Sequence, residues 1–115
     1  MRKKPREKKL RTRWSKAKLE ELIGCATVDA ADEEEQQMGF YTAIEDHVKF
    51  PFKTALPGGE VAVQGIGVDE ADEIVAVCLR GRERLAVSIL DLPLPKPPPK
   101  GAEWIEAYRL WAQER

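Results

Sequence analysis

Apolar positions recur along this chain with two periods, and the change between them divides it. From Ser15 to Val48 the spacing is helical. Leu19, Leu22, Ile23 and Ala26 fall on one face of a first helix that Ser15 can N-cap and Gly24 can stop near Ile23. Met38, Tyr41, Ile44 and Val48 form the stripe of a second helix, widened by Phe40. Asp32 and Glu35 have the spacing of a capping box, which makes Asp32 the natural N-cap. Pro51 stops any continuation and biases Phe50 toward extended geometry. Beyond Phe52 the period becomes two. Pro57-Gly58-Gly59 marks a turn. Val61 and Val63 alternate, and Ile66 and Val68 resume one position out of phase, so a bulge is expected at Gly65. Residues 74–79 are apolar on both parities, as in a central covered strand. Leu85, Val87 and Ile89 alternate in the next one.

This order predicts an α+β fold: two N-terminal helices, a small antiparallel sheet or SH3-like barrel, and a C-terminal helix. The last helix is expected from Ala102, with Trp104, Tyr108 and Trp111 on one face docked against the barrel. The run LPKPPPK, residues 94–100, reads as a polyproline spacer. The expected division is a basic disordered tail over 1–14, a folded domain over 15–94, a proline-rich linker over 95–101 and a docked helix over 102–115.

Length and composition fit one soluble domain, with 43% hydrophobic and 34% charged residues in 115. The net charge of −1 conceals an asymmetry. Residues 1–18 hold ten Lys/Arg and one acid (+9), leaving nine Lys/Arg and nineteen acids (−10) for residues 19–115. The tail could meet nucleic acid or an anionic surface through phosphates, although Trp14 is its only aromatic. No apolar run approaches a membrane span, and no secretory signal precedes Trp14. A cytoplasmic monomer is expected. Cys25 and Cys78 sit among apolar neighbours, which predicts two buried, slow-reacting free thiols.

Enzyme chemistry finds little support. His47 is the single histidine and has no Ser or Cys partner nearby in sequence. Gly65-Ile66-Gly67 lacks the third glycine and the following helix of a phosphate loop. One His and two Cys do not make a zinc site. Carboxylates, in contrast, are concentrated. Residues 32–35 are all acidic, Asp29 precedes them, Glu45 and Asp46 lie at the far end of the second helix, and Asp69 to Glu73 form another acidic stretch. Capped and solvated helix ends account for much of this. The other reading is a cation held by oxygen ligands, of which Ca²⁺ takes about six to eight. An EF-hand is excluded, because the loop's required glycine would fall at Glu34 when counted from Asp29, or at Ile74 when counted from Asp69.

Two segments, EEEQQMGFYTAIEDHVKFPF (33–52) and GRERLAVSILDL (81–92), resemble the signatures of the cyanobacterial CcbP-type calcium-binding family. The likeness covers about two thirds of the chain, from Leu19 to Leu94. Phe40 stands where that family often has Trp, and Ser88 where it often has Pro. The resemblance implies a cytosolic Ca²⁺ buffer or sensor, and it implicates Glu45 and Asp46, which lie inside the matching Ile44-Glu45-Asp46 segment. Asp29, Asp32 and Glu35 are the further metal candidates, with Asp69 and Asp72 in reserve. One helix cannot gather both ends around one ion, since Glu35 and Asp46 lie about 16 Å apart along its axis. The competing expectation is an SH3-like interaction or nucleic-acid-binding module that uses the basic arm.

Overall fold

The computed structural model describes residues 13–114. Of the basic tail expected over residues 1–14, Arg13 and Trp14 fall within that range and the rest lies outside the described residues. Helix α1 spans Lys16–Ala26 and is capped by Ser15, whose hydroxyl accepts from the Lys18 N–H at 3.1 Å. It runs through Gly24, the expected stop, because its terminus is closed further on by Thr27. Both the Thr27 N–H and its hydroxyl donate to the Ile23 carbonyl, at 3.0 and 2.8 Å.

Helix α2 spans Glu33–His47. Asp32 caps it by accepting from the Glu35 N–H at 2.9 Å. Glu35 reaches back to the Ala31 N–H at 2.7 Å, one residue outside the usual capping box. The buried stripe is Phe40, Ile44 and Val48. Met38, expected on that stripe, is 53% exposed. It lies two residues before Phe40, about 200° around the helix, and so points away from the core. α1 and α2 approach closely where Gly39 meets Ala26: a Cβ at Gly39 would fall on the Ala26 carbonyl.

Strands β1 (Phe52–Leu56), β2 (Gly59–Val68), β3 (Ile74–Arg80) and β4 (Glu83–Ser88) form an antiparallel meander in sequence order. Among the described residues β4 pairs only with β3, so the sheet is open. The bulge falls one residue before the expected place. Val63 opposes Cys78 and Gly65 opposes Val77, which leaves Gln64 extra. That insertion keeps Val61, Val63 and Ile66 on the inner face. They join Ile74, Ala76 and Cys78 in one core with the helices. Val75 is also buried, on the opposite parity, as a central strand requires.

Helix α3 (Ala102–Glu114) packs mainly on α1 and α2 rather than on the sheet. Phe40 lies against Tyr108 and Trp111, with ring centroids 5.4 and 5.2 Å apart. The Trp111 indole donates to Gln36 Oε1 at 2.9 Å. Trp104 is half-buried and stacks on His47 at 4.7 Å. Between β4 and α3 the chain is fastened on both sides. Thr54 Oγ1 donates to the Pro93 carbonyl at 2.6 Å, and the Lys49 N–H donates to the Lys100 carbonyl at 2.8 Å. The Arg109 guanidinium donates to the carbonyls of Ile89 and Leu92 and to Glu106. Burial pulls its pKa down, opposed by the neighbouring carboxylates of Glu106 and Asp91. No helix among the described residues is long and apolar enough to cross a membrane.

The two cysteines are free but not alike. Cys78 is buried, whereas Cys25 is exposed. Ile23 and Ala26 are neighbours of Cys25 in sequence, yet successive helical residues point about 100° apart, and Cys25 turns to water. Burial also raises the Cys78 thiol pKa. A disulfide-forming thiol reagent should therefore titrate one cysteine rapidly in the native protein and the second only after unfolding. Two fast thiols, or none, would contradict this arrangement.

Candidate metal centre

The acidic corner begins where α1 ends. Thr27 closes the helix, the Ala30 N–H donates to the Thr27 carbonyl at 3.1 Å, and the turn carries Asp29 on the surface. Asp32 and Glu35 follow at the start of α2, where Glu33, Glu34 and Glu35 occupy the first turn. The backbone N–H groups and the positive end of the helix dipole draw carboxylates to this end. All five sequence candidates, Asp29, Asp32, Glu35, Glu45 and Asp46, are exposed. Asp32 and Glu35 each use one oxygen on a backbone N–H, which orients the carboxylate and leaves its other oxygen to solvent.

The β2–β3 loop supplies a second acidic element with a defined shape. Asp69 Oδ1 accepts from the N–H groups of Ala71 and Glu73, at 2.8 and 2.9 Å. The Asp69 N–H donates to the Glu73 carbonyl and the Asp72 N–H to the Asp69 carbonyl, both at 3.0 Å. Asp72 adopts φ 64°, a left-handed conformation that Asp tolerates better than most residues. The Gln37 side-chain amide of α2 donates to the Asp72 carbonyl. Gln37 lies one helical turn beyond Glu33, so this bond ties the loop to the acidic end of α2. The Tyr41 hydroxyl adds a longer link to the Ile66 carbonyl at 3.4 Å.

The Gln37 bond thus sets the Asp69–Glu73 loop against α2 one turn from its acidic start, while Asp29 and Asp32 precede that turn and Glu35, two residues before Gln37, lies about 200° around the helix from it. Glu45 and Asp46 stand apart at the other end of α2, beside the His47–Trp104 stack. Gln37 escaped the sequence reading, because a neutral amide between acids carries no signal until its partner strand is placed. Among the described residues no three His, Cys, Asp or Glu side chains are grouped to hold an ion. The donors available at the corner are carboxylate and carbonyl oxygens, which suit Ca²⁺ and not a thiolate- or imidazole-seeking metal. The fit is one of donor chemistry, with an open arrangement in place of a formed cage.

A family profile for CcbP-type calcium binding matches residues 20–112, most of the chain. The chain belongs to this calcium-binding family. Two solved structures share the CcbP-family fold. One is described as the crystal structure of Anabaena CcbP, with 21% identity and a TM-score of 0.70 over 86% of this chain and 92% of that one. The other, described as a calcium binding protein in the calcium-binding form, has 20% identity and a TM-score of 0.67 over 84% and 90%. No curated protein matches the sequence. Ca²⁺ is accordingly the ion associated with the CcbP family to which this chain belongs.

Proposed function

We propose that this protein is a cytosolic Ca²⁺ buffer or sensor that holds its ion without an EF-hand, at the corner between α1, α2 and the β2–β3 loop. The observation that carries the reading is the Gln37 bond to the Asp72 carbonyl, which holds one acidic segment beside another. Asp29, Asp32 and Glu35 would supply carboxylates from one side, and Asp69 and Asp72 from the other. Glu45 and Asp46 are too far along α2 to join them and would form a separate, second place. A bound divalent ion supplies positive charge that relieves the repulsion among these groups. Two free thiols agree with a reducing compartment.

An open site of this kind should bind at roughly 10⁻⁶–10⁻⁴ M, between sensor and extracellular ranges. It should favour Ca²⁺ over Mg²⁺, whose strict octahedron suits irregular carboxylates poorly. Calorimetric titration tests the assignment on three proteins: wild type, Asp32→Asn with Asp72→Asn, and Glu45→Gln with Asp46→Asn. Asn retains capping ability at residue 32 and tolerates the backbone of residue 72, so the first pair removes charge with little change of fold. That pair is expected to weaken Ca²⁺ at least tenfold, with a smaller change in the second. Loss confined to the Glu45/Asp46 variant would move the site to the far end of α2. No Ca²⁺ heat in wild type would remove both.

A further inference from the structure

At the opposite end of α1 lies a surface of different character. A groove of about 620 Å³ opens between Trp14, α3 and the proline-rich segment. Its floor is apolar: Trp14, Leu19, Leu90, Leu94 and Leu110. Leu90 is 38% exposed, a large apolar side chain left uncovered. Arg13 and Lys96 stand on the rim, and neither has a carboxylate within ion-pair distance among the described residues. Glu106 is the single acid in the lining, and Arg109 neutralises it at 3.3 Å. Residues 1–18, which include Arg13 and Trp14, carry the +9 noted above.

The walls are fixed before any ligand arrives. Arg109 clasps the Ile89 and Leu92 carbonyls, and Thr54 holds Pro93 from the other side. Prolines 95 and 98 stiffen the lip. A preformed apolar floor beside two exposed cations that are unpaired among the described residues selects a ligand that is apolar and anionic together. Aliphatic side chains make up four of the five floor residues, whereas nucleic-acid bases seek aromatic faces on which to stack. We propose that this groove docks a short acidic peptide segment of a partner protein. One or two of the segment's apolar side chains would rest on Trp14 and the leucines, and its carboxylates would face Arg13 and Lys96. The proposal is independent of the calcium reading, because the groove and the acidic corner share no residue.

The test uses the full chain and a fluorescein-labelled peptide of Glu, Asp and Leu, followed by anisotropy. Controls are the same peptide with Lys for every acid, and an oligothymidylate of equal length. The acidic peptide should bind, and its affinity should fall about tenfold in Lys96→Glu, the equivalent of about 1.4 kcal/mol. Trp14→Ala should lose at least as much, Asp32→Asn should change nothing, and added salt should weaken binding. Lys96 is exposed, so its replacement leaves folding intact even if Trp14→Ala does not. Equal binding of the basic peptide, or survival of binding in Lys96→Glu, would overturn the proposal. Tighter binding of the oligothymidylate would assign the surface to nucleic acid instead. Concentration-dependent association of the chain alone, abolished by Lys96→Glu, would assign it to a second copy.

Discussion

Gly101→Ala is expected to destabilise the protein by roughly 2–6 kcal/mol, the sum of a left-handed backbone and a backbone clash. Gly101 has φ +88°, a conformation unfavourable for any residue with a Cβ. It also sits where the end of the proline-rich segment meets the end of α2. A Cβ there would fall on the carbonyl group of His47 and come within 2.8 Å of Val48 Cα. Backbone cannot rotate aside as a side chain can. The junction is further pinned by the Lys49–Lys100 hydrogen bond and by the Trp104 N–H, which donates to the Gly101 carbonyl at 3.0 Å. Against a typical stability of about 5–15 kcal/mol, the melting temperature should drop by about 7–20 °C. Gly24→Ala supplies the control with opposite sign. Gly24 is helical, exposed and has nothing within 4 Å of an added Cβ, so alanine there should stabilise by up to about 1 kcal/mol. A Gly101→Ala protein that melts within a few degrees of wild type would show that the α2–α3 junction is not as close as described.

Ca²⁺ at about a hundred times its Kd should stabilise the fold by about 2.7 kcal/mol, while equal Mg²⁺ does markedly less. For a domain of this size that is a rise in melting temperature of about 10 °C. The acidic corner gives the variants a distinctive signature. Without an ion, clustered carboxylates repel one another, and Asp32→Asn with Asp72→Asn relieves part of that repulsion. The double variant should therefore melt at or above wild type without Ca²⁺ and gain little when it is added. A variant that is merely misfolded would melt lower under both conditions. Equal shifts from Ca²⁺ and Mg²⁺, in wild type and variant alike, would mean that the ions act by general screening and that no specific site exists at this corner.

The parts of the fold that were legible in the sequence are those governed by near neighbours. The Asp32 cap, the Ser15 cap and the change of period at Phe52 are local patterns, and each stands where it was expected. The bulge was legible to within one residue, because alternation shows that a residue is extra without saying which. Cys25 was misjudged because apolar company in sequence is not apolar company on a helix, where neighbours diverge by about 100°, and Met38 because the buried stripe centres on Phe40 and Ile44 and leaves Met38 beyond its edge. Of the candidate site, the carboxylates were legible as residue types. Their distribution in space was not, since it depends on Gln37 meeting a loop that lies 35 positions further on. The groove was equally hidden, because its walls come from three separated segments.

The meander and the helical layer make different demands on time. Each strand pairs with the one just before or after it, so the sheet can assemble from adjacent stretches of chain as they appear. The helical layer cannot. Phe40 is covered by Tyr108 and Trp111, and Gln36 finds its indole partner 75 positions downstream. A chain emerging from the ribosome at about 5–20 residues per second must hold α1, α2 and a finished sheet with their apolar faces uncovered until α3 follows. Until then Phe40 and the faces of α1 and α2 that α3 covers are the part of the core left to close.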